Sequence, residues 1–151
     1  MKHLRGLAVL LLAGSVTVFA GCGGSDSDSA DDSGRVPVVG PSTFDREDAD
    51  STQTQAGDVL EARDLIWIYD DAMSDDRVSG TSTVTINYDM YPTGIADMWG
   101  ATVLTNDGGT WEGDWVGSIH SDGTHTTYGT LTGTGDYEGL RYIFFNVFEE
   151  P

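Results

Sequence analysis

Gly109-Thr110-Trp111-Glu112-Gly113-Asp114-Trp115-Val116-Gly117 is the stretch that sets the architecture. In an extended chain successive side chains point to opposite sides, so Trp111, Gly113, Trp115 and Gly117 share one face. Two indole rings alternate there with two positions that have no side chain. Such a face lets a sheet bend and lets the rings nest in the gaps, so a strongly coiled sheet is expected.

The same extended pattern runs outward from this stretch in both directions. Residues 65–69, Leu-Ile-Trp-Ile-Tyr, are β-branched and aromatic, and Asp70-Asp71-Ala72-Met73-Ser74-Asp75-Asp76 breaks them. Residues 78–88 alternate, with Val84, Ile86 and Tyr88 on one face and Thr83, Thr85 and Asn87 on the other. Residues 99–105 follow. Asn106-Asp107-Gly108-Gly109 is then a hairpin turn, because consecutive positions with positive φ suit Asn, Asp and Gly. Residues 111–120, 124–132 and 140–148 complete the series, separated by Ser121-Asp122-Gly123 and Gly133-Thr134-Gly135-Asp136. No window holds an apolar period of 3.6 residues, so helix should be scarce. Six to eight short strands joined by tight turns predict an all-β fold, a small antiparallel β-barrel over residues 58–151.

The N-terminus reads as an address. Lys2, His3 and Arg5 precede an apolar run over residues 7–20, and Val18-Phe19-Ala20-Gly21-Cys22 closes it with small residues before the only cysteine. A spanning helix needs about 20 apolar residues, more than this run supplies. A lone exported thiol would have no partner, whereas a lipidated one needs none. Residues 1–21 are therefore expected to be a lipoprotein signal peptide, with Cys22 the lipid attachment site. The mature chain is expected to lie outside the cytoplasm, held to the membrane of the cell envelope by its acyl chains.

Residues 22–57 are expected to be a disordered acidic linker. Gly23-Gly24-Ser25-Asp26-Ser27-Asp28-Ser29-Ala30-Asp31-Asp32-Ser33-Gly34 has no large apolar residue to bury. As a flexible coil the linker reaches on the order of 30 Å. Val36-Pro37-Val38-Val39-Gly40-Pro41 is its apolar exception, readable as an edge strand or a strap over the domain. The Asp26 run lacks the glycine and the spacing of an EF-hand loop, so no calcium site is assigned to it.

Removing residues 1–21 leaves five basic against 25 acidic residues, a formal charge of −20, and no lysine. Nucleic acid binding depends on Lys and Arg contacts to phosphate, so that class of partner is excluded, and anionic lipid headgroups are repelled. With Cys22 acylated, the domain has neither a disulfide nor a thiolate ligand for a metal.

Two blocks carry a resemblance. Residues 109–117 quoted above, followed by Gly129-Thr130-Leu131-Thr132-Gly133-Thr134-Gly135-Asp136-Tyr137-Glu138-Gly139-Leu140, resemble the strand-and-turn pattern of allene oxide cyclase-like β-barrels. The glycine-rich turn is also similar to that of dirigent proteins. The resemblance covers about the last third of the chain, and extends more loosely from Asp75. It implies an eight-stranded antiparallel barrel around a small apolar cavity, and a homotrimer. The cyclases' catalytic side chains do not map onto this chain, so isomerase activity is not carried over.

Chemistry-bearing residues are sparse, and no catalytic residue, metal site or cofactor is assigned. There is no Gly-x-Ser-x-Gly elbow. His120 and His125 flank the Ser121-Asp122-Gly123-Thr124 turn, and with Asp122 they offer three ligands, but exposed imidazoles in a turn are more often plain polar residues. Asp136 and Glu138 sit in the glycine-rich turn, where satisfying turn amides and facing water is the simpler role. Arg77 and Arg141 are expected to pair with nearby carboxylates.

The aromatic residues are the candidate ligand contacts: Trp67, Trp99, Trp111, Trp115, Tyr128 and Tyr142. Most must be core, since a small domain needs the area they bury. Residues 65–69 and 140–148 are nevertheless apolar on both faces, which a sheet with one wet side does not require. Either the strap or another subunit covers the outer face, or the inside surrounds an apolar ligand. The expected function is a non-enzymatic binding or interaction domain for a small apolar ligand or a protein partner. A cyclase-like or dirigent-like enzyme acting by confinement, and an acidic surface spacer, are the alternatives.

Overall fold

A computed structural model describes residues 9–12, 36–49 and 51–149. Cys22 and residues 22–35 of the expected linker lie outside the described residues. The strands are β1 (Val9–Leu12), β2 (Gly40–Ala49), β3 (Thr52–Ala56), β4 (Val59–Asp71), β5 (Gly80–Met90), β6 (Ala96–Asn106), β7 (Gly109–Ile119), β8 (Thr124–Gly133) and β9 (Arg141–Glu149). Two single 3-10 turns, Asp76–Val78 and Gly135–Tyr137, are the only helical segments among the described residues.

All strands belong to one antiparallel sheet, ordered β1-β2-β4-β5-β6-β7-β8-β9, with β3 pairing β4 beyond the end of β2. From β4 onward each strand pairs with the next in sequence, as a chain of tight turns dictates. The ladder's ends, β1 and β9, come within 8 Å of each other, Cα to Cα, but are not paired. The all-β antiparallel expectation holds, whereas the expected closure into a barrel is not made by backbone pairing. The terminal strand β1 is only four residues long and pairs on its β2 side alone.

The sheet takes up residues that the sequence assigns to the linker. Gly40–Ala49 pairs with β4 through two irregularities of register, and Thr52–Ala56 forms a hairpin with β4 across Gly57 and Asp58. Both strands are polar, and β3 is exposed throughout, so composition gives no sign of them. Backbone pairing to the long, apolar β4 holds them in place.

One face of the sheet is the core. Leu65, Ile86, Met98, Leu104, Trp111, Trp115, Leu131, Tyr142 and Phe144 pack into a single cluster with Val38, Val78 and Tyr137. A lone sheet can bury one face this way only by coiling around it. The coiling brings β4 toward β9, since Leu65 of β4 shares the core cluster with Tyr142 and Phe144 of β9. Val38 is 1% exposed and plugs this cluster, while Ala72 and Ser74 donate to the carbonyls of Pro41 and Val39 at 2.9 and 2.7 Å. The 36–41 segment is thus a strap over the core's edge, and it leaves the outer face of β9 uncovered.

Glycines make the coiling possible. Trp115 lies against Gly100 of the neighbouring strand, where an added Cβ would come within 2.9 Å of the indole and also collide with the Thr85 carbonyl. Gly129 is enclosed by the Phe144 ring and Trp115. Trp111 stacks on Tyr137 with ring centres 5.0 Å apart, meets Tyr142 edge-on, and donates its indole N–H to the Arg77 carbonyl at 2.6 Å. Asn106 links the same end, donating to the carbonyls of Arg77 and Ser79 and accepting from the Tyr137 hydroxyl at 2.7 Å.

Gly100→Ala is expected to cost about 1–3 kcal/mol, because the methyl group meets backbone that cannot move aside cheaply. Urea unfolding of the two chains measures it, and an unchanged midpoint at equal slope would refute the nesting account.

Candidate functional site

The six aromatic candidates fall into three places. Trp111, Trp115 and Tyr142 are 1%, 5% and 5% exposed and belong to the packed core. They pack against one another and their neighbours on the inner face of the sheet, away from the open surface. Trp67 is half-buried, grouped with Phe44 and Tyr69 in edge-on contacts, and its indole N–H points to Glu47 at 3.3 Å. Trp99 and Tyr128 stand on the outer face.

The outer face carries a contiguous set of exposed apolar residues. Register places Trp99 of β6 opposite Val116 of β7, Val116 opposite Tyr128 of β8, and Tyr128 opposite Phe145 of β9. These four residues form one row across four strands, about 14 Å long at the usual strand spacing of about 4.8 Å. They are 36%, 59%, 52% and 51% exposed. The next outward row, Asp97, Ser118, Thr126 and Val147, runs parallel to it. Between the two rows lies an open groove of about 460 Å³ whose floor includes Gly117.

One end of the row is held rigidly. The Arg63 guanidinium carbon sits 4.9 Å from the centre of the Trp99 ring, and its nitrogens reach Asp89 at 2.6 Å and the Tyr88 carbonyl at 2.9 Å. Arg63 lies in a bulge of β4 where Asp64 has a φ of 58°. Asn87 accepts from the Asp64 amide at 3.1 Å and donates to the Trp99 carbonyl at 3.3 Å. A cation over an indole face fixes the ring's orientation as well as adding attraction. Phe145 and Val116 escaped the sequence reading. The signal for Phe145 was the second apolar face of residues 140–148, which has meaning only once the register aligns it with Trp99; Val116 had none beyond its place beside Trp115.

A second constellation lies inside, at the end of β4. Asp71 accepts a bond from the Ser82 hydroxyl and another from Ser42, and the two serines are 4% and 6% exposed. Burial raises the Asp71 pKa above the usual carboxylate value, the two hydroxyls partly offset this, and Asp70 adds to the rise. The same burial, helped by the Asp71 charge, pushes Tyr142 up to about 12 and raises Tyr69 further. No cation among the described residues bonds to Asp71.

The remaining candidates do not assemble. His120 is exposed and bonds Thr126 at 3.1 Å, whereas His125 is buried on the inner face, so the two imidazoles point to opposite sides of the sheet. Asp122 caps its own turn through the Thr124 amide at 2.9 Å. No cluster of three His, Cys, Asp or Glu placed to hold a metal occurs among the described residues. Asp136 and Glu138 are exposed. Arg77 pairs with Asp75 at 2.6 Å, holding that carboxylate below its ordinary range, while Arg141 is exposed.

The chain matches no protein-family model, no curated protein and no solved structure.

The Asp71 geometry sets a pH dependence. A carboxyl whose folded pKa is raised binds its proton more tightly in the folded than in the unfolded chain, so it lowers stability as pH rises from about 4 to the folded value. Asp71→Asn should therefore gain on the parent chain through that window and keep a constant lead above it. Paired urea unfolding from pH 3.5 to 8 measures the difference, and a lead that never changes with pH would contradict it.

Proposed function

We propose that this chain is a lipid-anchored, extracytoplasmic binding domain without catalysis, which presents the outer face of β6 to β9 to its partner. The observation that carries this reading is the row Trp99, Val116, Tyr128 and Phe145. Half-exposed, contiguous apolar side chains are unusual on a soluble domain and mark interaction surfaces. They stand out more on a chain with a formal charge of −18, whose remaining surface is strongly solvated.

The anchor is Cys22, supported by the basic start, the short apolar run and the small residues that precede it. The coiled sheet is read as a barrel with one open seam between β2 and β9, where β1 sits. Cleavage before Cys22 removes β1 and leaves the ladder from β2 to β9. The resemblance to allene oxide cyclase-like barrels supports this reading through β7, β8 and the turn after β8, which hold both matching blocks.

A second reading, a cyclase-like enzyme working by confinement, is favoured by Asp71 among Ser42, Ser82 and Tyr142. It requires turnover that Asp71→Asn abolishes. A pure spacer has no use for a rigidly braced outer tryptophan.

Cys22→Ser is expected to move the chain from the membrane fraction to the soluble envelope fraction. Equal retention of the two forms would rule out the anchor. For the face, the uncharged dye N-phenyl-1-naphthylamine is expected to brighten on the parent chain and much less on Trp99→Ala or Tyr128→Ala, with unfolding midpoints little changed because both side chains are partly exposed. Equal brightening on all three would remove the outer row as the binding surface.

A further inference from the structure

We propose that the outer groove takes an uncharged polysaccharide built of pyranose rings, laid along the row from Trp99 to Phe145. This rests on the reading of that face as the binding surface, and adds the chemistry of what binds there.

Three observations converge on this ligand class. The first is shape: the row is a continuous track across four strands, open above, whose three aromatic members lie on β6, β8 and β9. A small hydrophobic molecule gains tight affinity from enclosure, with about 70–90% or more of its surface buried, so an open track holds one, such as the dye, only weakly. A chain-like ligand gains it by repeated contacts along the track.

The second is the pairing of apolar and polar groups. The aromatic row is flanked by Asp97, Ser118, Thr126 and Val147 on one side and by Ala101, Asp114, Thr130 and Ile143 on the other, at positions two residues along each strand. Rings lie in the middle, and each margin carries a carboxylate and at least one hydroxyl beside aliphatic groups. A pyranose matches this arrangement, since its C–H face is apolar and its rim is a set of hydroxyls that both donate and accept. Fixed aromatic rings offer such a face large contact area at small entropic cost, and Trp99 is fixed by Arg63.

The third is charge. Arg63, the cation beside the row, is already engaged by Asp89 at 2.6 Å and Glu61 at 3.5 Å. Acidic glycans, phospholipid headgroups and nucleic acids would meet Asp97 and Asp114 beside the row, while the exposed Arg141 stands four residues from Phe145 along β9, away from both carboxylates. A second copy of this chain would bring the same two carboxylates against their counterparts, with a formal charge of −18 on each chain. An uncharged polyhydroxyl ligand meets neither obstacle.

The test is affinity electrophoresis of the detergent-solubilised full chain in gels holding hydroxyethyl cellulose, galactomannan or dextran, with polygalacturonate as the charged control. Retardation by at least one uncharged polymer and none by polygalacturonate is expected. Trp99→Ala and Tyr128→Ala should each weaken it about tenfold or more, the scale at which truncated anchor aromatics act. No retardation by any uncharged polymer, with dye brightening still dependent on Trp99, would overturn the glycan while leaving the binding face intact. Loss of both signals would overturn the face as well. Sedimentation showing self-association that Trp99→Ala abolishes would assign the row to a second copy and also overturn the glycan.

Discussion

A single sheet has to serve here as both wall and core, and everything else follows from how tightly it coils. The coil depends on Trp115 seating its indole where the neighbouring strands supply no Cβ, at Gly100 and Gly129. Close packing of this kind resembles a crystal more than oil, so the rings and the gaps specify each other. The stacked Trp111–Tyr137 pair and the Asn106 bonds then tie off one end, and Val38 plugs the core's edge.

Because the core claims the inner side of each strand, what remains outside is free to differ. Along β5 that exterior is threonine and asparagine, yet from β6 to β9 it becomes a row of rings and aliphatic groups. The contrast lies within one sheet and one pleat, so folding demands do not explain it. Arg63 and the β4 bulge brace Trp99 at a position where nothing in the core requires it.

The β4 to β9 meander was legible because alternation, hairpin turns and the glycine-tryptophan stretch all pointed to the same strands; boundaries from β5 onward differ by about three residues at most, whereas β4, read as residues 65–69, extends over Val59–Asp71. Strands β2 and β3 were not legible. Asp45-Arg46-Glu47-Asp48 and Thr52–Ala56 have no apolar face, and they are strands only because β4 offers backbone partners. Ala56-Gly57-Asp58-Val59 was the one local cue, a two-residue turn of the kind that joins hairpins. The aromatic candidates were identified as a set, but their division between core and surface depends on register, which single residues do not encode. Asp71 read as part of a strand-breaking acidic run, and only the coiled fold turns it inward between Ser42 and Ser82.

The two register irregularities of β2 matter beyond the fold of one molecule. They fall between Phe44 and Arg46 and between Glu47 and Ala49, in the same segment that carries alternating charges. A strand that is bent and charged along its rim offers no straight row of amides and carbonyls for a neighbouring chain to zip onto. At the β2 edge, crowded copies of this domain therefore find no template for joining their sheets.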